Sequence, residues 1–285
     1  MSIQELELPL STDDGHRYNL IARIPARPQA SLLWLPALGV AARHYLPFAE
    51  ALAAKGVAVF LQEMRGNGSS NLRPSRQVDW GYRHILTLDI ARSHAAMVEY
   101  CEAPQRIVGG HSIGAQFAAC YLGLHPDTFE RLWLVASGSP YWRTFPAPKR
   151  YVFPFAFQFV PWIADRRGVF HGRRFGFAGD EARSLMRDWA NVGLSNRYAA
   201  AGMETDLEEA LSRVEARTQA VLLENDWFAP RRSMQALLDK MPQATVTTQV
   251  LDRAVLGTNA NHFAWMKQPQ AVAKVLSDSV ENNDA

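Results

Sequence analysis

The sequence predicts an α/β fold in which helices cover both faces of a mostly parallel sheet. Short apolar runs, typical of buried strands, alternate with segments whose apolar residues recur at helical spacing. The 285 residues can bury a large core, and a composition of 48% hydrophobic and 20% charged residues is that of an ordinary globular protein. One segment, residues 138–205, breaks the alternation because it contains no clean strand and five prolines.

The N-terminal half supplies most of the predicted elements. Prolines end the first two apolar runs and Gly56 closes the first helix, whereas "RGNGSSN" has the composition of a loop. Leu86, Ile90, Met97 and Cys101 share one face of a long amphipathic helix. The predicted strands are 18–25, 31–36, 57–62, 106–110 and 131–137, and the predicted helices are 43–55, 80–101 and 113–124.

The C-terminal part repeats the same rhythm. We predict strands at 220–225 and 245–251, with helices over 231–240 and from 263 onward. An insertion between two sheet strands that lacks its own strand–helix repeat is typical of a cap. The predicted organisation is therefore a core of residues 1–137 and 206–285 with a cap segment of residues 138–205.

Bulk properties exclude several classes of protein. A net charge of +2 gives no nucleic-acid signal, and Cys101 and Cys120 are too few for a disulfide framework or a zinc site. The N-terminus lacks the pattern of a signal peptide, and no apolar run is long enough for a transmembrane helix, so we expect a cytoplasmic protein. The fingerprints of dinucleotide, phosphate-loop and H-E-x-x-H metal sites are missing, and no cofactor is expected. Nothing in the sequence indicates an oligomeric state.

The segment "VGGHSIGAQ" contains the only G-x-S-x-G pattern, centred on Ser112. It follows a predicted strand and opens a predicted helix rich in alanine, which is the strand–turn–helix setting of a nucleophilic serine. The helix N-terminus also offers free N–H groups to a developing oxyanion. A serine that merely caps the helix is the alternative, but capping does not require a glycine on both sides.

A serine nucleophile needs a base and an acid that orients the base. Of the eight histidines, His262 lies on a loop after the last predicted strand, although a surface loop histidine is the alternative. His111 is adjacent to Ser112 and is a poor candidate because a tight turn directs it elsewhere. Asp226 directly follows the strand 220–225, whereas its rival Glu224 lies within that strand.

With these residues the sequence resembles the α/β-hydrolase superfamily over nearly the whole chain. The resemblance is carried by "GGHSIGA", "END" with Asp226, "NHFAW" with His262, and the "RGNGSS" loop. More closely, "PALGV…RHYLPFAEALAAKGVAVF" and "SGSPYW" are similar to bacterial predicted hydrolases related to the serine aminopeptidases, most of which have no assigned substrate. Two departures are Pro36-Ala37, where many members carry His-Gly, and Glu63-Met64, where an aspartate often precedes the R-G loop.

The resemblance implies two backbone donors for an oxyanion. One is the N–H of the residue after the nucleophile, Ile113, and the other lies in the loop after the early strand. We assign the second to Leu38 by position, with Gly39 giving the loop its freedom. A simple strand-ending turn predicts the same composition.

The cap segment contains both aromatic and basic residues. "YVFPFAFQFVPW" places aromatics at every second position from Tyr151 to Phe159, a strand-like period that Pro154 contradicts. These rings either form an acyl-binding wall or fill the core of the cap. Residues 140–200 carry ten basic and four acidic side chains. This excess of positive charge either attracts an anionic substrate or is simply a solvated face of the protein. The expected substrate-contacting residues are Tyr141, Trp142, Phe153 and Phe157.

The expected function is a serine hydrolase that cleaves an ester, thioester or amide of a small-molecule acyl substrate through an acyl-enzyme. An acyltransferase would use the same groups, and a non-catalytic ligand-binding module could share the fold.

Overall fold

The computed structural model describes residues 2–281 and contains ten strands and ten helices within them. Residues 1 and 282–285 of the predicted core lie outside the described part. The strands are β1 (Ile3–Ser11), β2 (Arg17–Pro25), β3 (Ala30–Leu35), β4 (Val57–Leu61), β5 (Gln105–His111), β6 (Arg131–Val135), β7 (Phe170–His171), β8 (Asp180–Glu181), β9 (Arg217–Leu223) and β10 (Val246–Leu251). The helices are α1 (Leu46–Ala53), α2 (Tyr82–His84), α3 (Ile90–Tyr100), α4 (Ile113–Leu124), α5 (Lys149–Arg167), α6 (Arg183–Ser195), α7 (Leu207–Ser212), α8 (Arg231–Leu238), α9 (Arg253–Leu256) and α10 (Gln270–Glu281).

Eight of the strands form one sheet in the order β1-β2-β4-β3-β5-β6-β9-β10. The first three of these are joined by antiparallel pairing, and every pairing from β4 to β10 is parallel. β3, β4 and β6 are buried along their whole length, which explains their continuous apolar sequence. The carboxyl ends of the parallel strands meet at one edge, and this edge carries the candidate site.

Two hydrophobic cores cover the two faces of the sheet. On one face α1 and α10 pack together, with Phe48 and Leu276 among the buried side chains. On the other face α3, α4, α7 and α8 contribute residues such as Met97, Phe117 and Leu237. The α/β fold with a mostly parallel sheet is therefore as the sequence predicts.

Some elements differ from the sequence prediction. Strand β1 was not predicted; it pairs with β2 at the edge of the sheet, where its alternating glutamates stay in solvent. The helix expected over 80–101 begins as α2 and passes through a π-helical turn, Ile85–Asp89, before α3. The helix expected from 263 is a 3₁₀ turn, Ala264–Lys267, followed by α10.

The cap segment consists mainly of α5 and α6, which pack against each other. The aromatic run with strand-like alternation is part of α5, and both Pro154 and Pro161 lie inside that helix. The only strands in the segment are the two-residue pair β7 and β8. No helix within residues 2–281 is long and apolar enough to cross a membrane.

Candidate active site

Ser112 sits on a strained turn between β5 and α4. Its backbone has φ of 57° and ψ of −124°, a left-handed conformation that a side chain rarely adopts. The N–H of Ser112 donates to the carbonyl of Val135 (3.1 Å), and the hydroxyl of Ser137 donates to the carbonyl of Ser112 (2.6 Å). These bonds hold the turn at the carboxyl ends of β5 and β6.

The two glycines of the G-x-S-x-G pattern are required by close packing. A Cβ on Gly110 would overlap the backbone of Gly114, and a Cβ on Gly114 would overlap the carbonyl oxygen of Leu35. Helix α4 therefore starts in direct contact with β3, which a larger residue would prevent.

Asp226 and His262 form a buried pair at the same edge of the sheet. The Nδ1 atom of His262 lies 2.7 Å from Oδ2 of Asp226, and both side chains are almost completely buried. The other oxygen of Asp226 accepts the N–H groups of Phe228 (2.9 Å) and Ala229 (3.1 Å). The carboxylate is thus fixed from two sides and fixes the imidazole in turn, since a bonded Nδ1–H leaves Nε2 as the free nitrogen.

The rival carboxylate, Glu224, points away from this site. It is exposed, and its hydrogen-bonding neighbour is the amide of Asn225 (3.4 Å). The turn after β9 brings Asp226 rather than Glu224 back toward the sheet edge, with the N–H of Asp226 donating to Leu223 (3.1 Å).

Two backbone N–H groups near Ser112 are free of internal hydrogen bonds. Within residues 2–281, neither Ile113 at the start of α4 nor Leu38 in the loop after β3 donates its N–H to another residue. The N–H of the neighbouring Ala37 donates instead to the hydroxyl of Tyr45 (2.9 Å). Gly39 has φ of +72° and lies so close to Gly179 of the cap segment that a Cβ would overlap its nitrogen.

His111, which the sequence made a poor candidate for the base, does not point away from the candidate site but contacts His262 itself. Its ring is fully buried against that of His262, with centroids 4.7 Å apart, and its Nδ1 lies 2.8 Å from the hydroxyl of Tyr45. Burial, with the nearby His262 adding to it, lowers the pKa of His111 well below its usual range. The ring is therefore neutral. No pattern in the sequence signals this role, because it depends on three residues distant along the chain.

Ser112 and His262 line the same cavity, which has a volume of about 240 Å³. The loop residue Leu38 and the helix residue Ile113 also line it. The far wall is apolar and comes largely from the cap segment: Phe145, Phe153, Ala156, Phe157, Val160, Phe175, Phe177 and Trp189. The cavity thus joins a serine, an imidazole and two free amides to an aromatic chamber.

The expected substrate-contacting residues divide into two pairs. Phe153 and Phe157 line the cavity, whereas Tyr141 and Trp142 do not. Both of these residues are half-buried, and their rings contact each other instead, with centroids 6.1 Å apart. None of the cap's arginines or lysines lines the cavity wall either. Among the side chains of residues 2–280, no group of three or more His, Cys, Asp or Glu is placed to hold a metal ion.

Comparisons with known proteins agree with this architecture. The chain has the α/β-hydrolase fold, and a family model described as serine aminopeptidase, S33 matches residues 26–255. The chain belongs to this family of hydrolases. A comparison with curated proteins by sequence found no match.

Solved structures resemble the whole chain at low sequence identity. DcsB, solved with a substrate analogue, has a TM-score of 0.66 at 15% identity, with 100% of both chains covered. An N-formylmaleamic acid deformylase from Pseudomonas putida has a TM-score of 0.59 at 16% sequence identity, and the match covers 95% of this chain and 100% of the deformylase chain. The thioesterase domain of the curacin biosynthetic pathway has a TM-score of 0.59 at 16% sequence identity, and the match covers 99% of this chain and 100% of that domain. At these identities the likeness concerns the fold.

Proposed function

We propose that this protein is a serine hydrolase that cleaves an ester, thioester or amide of an apolar acyl group through an acyl-enzyme at Ser112. The observation that carries the proposal is the buried 2.7 Å contact between His262 and Asp226, with Ser112 and His262 on the wall of one cavity. A hydroxyl, a base and an acid that orients the base are the three components of a catalytic triad, so these observations support the proposal.

The first half-reaction forms the acyl-enzyme. Oγ of Ser112 attacks the substrate carbonyl carbon while Nε2 of His262 takes the hydroxyl proton. The carbonyl oxygen becomes an oxyanion that accepts the N–H groups of Leu38 and Ile113. When the tetrahedral intermediate collapses, the bond to the leaving group breaks and His262 gives its proton to that group.

Water completes the cycle. It attacks the acyl carbon as His262 takes one of its protons, and collapse of the second intermediate returns that proton to Oγ of Ser112 and releases the acid. Throughout, Asp226 stabilises the imidazolium and holds its orientation. A neutral His111 against His262 adds no positive charge that would oppose this protonation.

The cavity wall supports an apolar acyl group. Its cap-derived side chains are aromatic or aliphatic, and no carboxylate, lysine or arginine is among its lining residues. A charged acyl group would lose its hydration there without a compensating partner. Two solved proteins that share the fold are named a deformylase and a thioesterase, and these names are consistent with the proposed cleavage of an acyl bond.

Labelling with a fluorophosphonate tests the proposal. The wild type should react stoichiometrically, and Ser112→Ala should lose both labelling and hydrolysis of p-nitrophenyl esters, the latter by about three orders of magnitude or more. Ser233→Ala is the matched control, since Ser233 is a second serine on the cavity wall and should keep both. A folded wild type that neither labels nor hydrolyses any ester would instead indicate a ligand-binding module.

A further inference from the structure

Helix α5 turns a second apolar face toward solvent. Successive residues of a helix are rotated by about 100°, so five large side chains fall within one arc of about 100° on α5. All of them are exposed: Tyr151 (57%), Val152 (62%), Phe155 (73%), Phe159 (45%) and Trp162 (52%). We call this set the aromatic face. Surface helices normally direct such residues inward, and α5 already does so with Phe157 and Val160 on its other side.

Basic residues flank the aromatic face at both ends of the helix. Lys149 and Arg150 lie at the start of α5 and Arg166 and Arg167 at its end, and none of the four forms an ion pair with a carboxylate of residues 2–280. The single acid of α5, Asp165, is engaged by Arg187 (2.7 Å). The aromatic face is thus bordered by positive charge that the protein itself does not neutralise.

Several of these cations stack on exposed rings. The guanidinium of Arg150 lies 4.9 Å from the ring centroid of Tyr151, and that of Arg166 lies 5.0 Å from Trp162. The ammonium of Lys149 lies 3.8 Å from the ring of Trp227. Aromatic rings with adjacent cations are typical of the boundary between lipid headgroups and acyl chains.

The aromatic face continues to the mouth of the cavity. The ring of Phe159 contacts those of Trp162 and Phe175, with centroids 5.7 and 6.3 Å apart. Phe175 is half exposed and also lines the cavity, as do the exposed rings of Trp227 and Phe263. A surface that covers α5 would therefore lie against the cavity entrance.

We propose that the aromatic face is a docking surface for a lipid bilayer with anionic headgroups. Its rings would enter the interfacial region, and the four flanking cations would contact lipid phosphates. The charges argue against a second copy of the chain as the occupant. Because both ends of α5 are cationic, packing two α5 helices together would bring like charges into contact in either orientation.

Docking of this kind does not depend on the catalytic proposal. Ser112 belongs neither to the aromatic face nor to its flanking cations, so Ser112→Ala should bind vesicles as the wild type does. Failure of hydrolysis and failure of docking are therefore separate outcomes.

Co-sedimentation with vesicles tests the proposal. The wild type should bind vesicles of equal parts phosphatidylcholine and phosphatidylglycerol, and bind phosphatidylcholine alone more weakly. The double variant Phe155→Ser/Trp162→Ser should lose affinity for the mixed vesicles by at least about tenfold. It should keep the wild-type rate on a short soluble ester, since neither residue lines the cavity.

Two further variants complete the design. Val98→Ser/Tyr100→Ser removes two other exposed apolar side chains, which lie on α3 with exposures of 47% and 48%, and should bind like the wild type. Arg166→Gln/Arg167→Gln should lose affinity for the anionic vesicles only, by about fivefold for each charge. Equal vesicle binding by wild type and Phe155→Ser/Trp162→Ser would overturn the proposal. So would a wild-type dimer that this variant abolishes, or an absence of vesicle binding by the wild type.

Discussion

The imidazole of His111 packs against that of His262, and Tyr45 holds it there through its hydroxyl. The same hydroxyl accepts the N–H of Ala37, which directly precedes the candidate oxyanion residue Leu38. Tyr45 therefore connects the loop after β3 to the base of the proposed triad. Because it accepts from Ala37, it can donate its own proton to Nδ1 of His111 and fix the tautomer of that ring.

Tyr45→Phe should lower kcat by roughly tenfold with little change in KM, and should destabilise the protein by about 1–3 kcal/mol. The reason is that the N–H of Ala37 and Nδ1 of His111 would both lose their partner in a buried place. Tyr82→Phe is the control, since the buried hydroxyl of Tyr82 has no hydrogen-bond partner within residues 2–281. Urea unfolding and ester kinetics measure the two effects; equal losses in both variants would contradict the assigned connection.

Asp226→Asn should reduce kcat by about four orders of magnitude while the fold is kept, because an amide can donate to Nδ1 and stabilise the wrong tautomer of His262. Glu224→Gln, two residues away and exposed, should retain full activity. Ester hydrolysis at saturating substrate compares them. Retained activity in Asp226→Asn would exclude Asp226 as the orienting acid.

Gly39→Ala should abolish most activity, since the added Cβ would overlap the backbone of Ala178 and Gly179 and displace the loop that carries Leu38. Gly15→Ala is a matched control: Gly15 also has a positive φ, of 84°, but open space around it. Gly15→Ala should lower the free energy of unfolding only by the strain of a left-handed residue, about 1–2 kcal/mol, and should leave kcat unchanged. Thermal unfolding and kinetics on both variants separate strain from overlap.

Stability should depend on the ionisation of Glu181. Burial raises the pKa of this carboxyl from 4.5 to about 7, with Asp180 adding to the shift and the N–H of Gly179 and Arg173 opposing it. Between these values the folded protein binds more protons than the unfolded chain, so stability falls as pH rises from about 4.5 to about 7.

Glu181→Gln should remove this loss. Its free energy of unfolding relative to the wild type should rise by up to about 3 kcal/mol between acidic and alkaline pH. Glu204→Gln, at an exposed position, controls for the change of side chain. Urea unfolding across the pH range is the measurement, and parallel curves for Glu181→Gln and wild type would refute the expectation.

Ala156→Phe should shorten the acyl chains that the protein accepts, because Ala156 lines the apolar chamber and a ring there would fill part of it. We expect kcat/KM for a long-chain p-nitrophenyl ester to fall at least about tenfold more than for the acetate. Ala26→Phe, at an exposed site away from the cavity, should leave the chain-length profile unchanged. An equal loss of kcat/KM for all esters would indicate that the acyl group does not bind in the chamber that Ala156 lines.

The sequence alone predicted every strand of the sheet except β1, and it predicted α1, α3, α4, α8 and α10 and the candidate residues at the ends of the strands. These features are local: buried parallel strands are continuous apolar runs, and the turn at Ser112 needs small neighbours that appear as Gly110 and Gly114. Asp226 and His262 follow predicted strands whose ends must share one edge of a parallel sheet. The sequence alone therefore predicts the edge of the sheet at which the two residues lie.

Only the tertiary structure decided how distant residues meet. The stacking of His111 on His262 and the contact of Gly39 with Gly179 join segments that no periodicity relates. The aromatic run of α5 shows the reason most clearly. In a helix, residues two apart are rotated by about 200° and so lie on opposite sides. An alternating pattern that resembles a strand thus becomes two faces, one lining the cavity and one exposed to solvent.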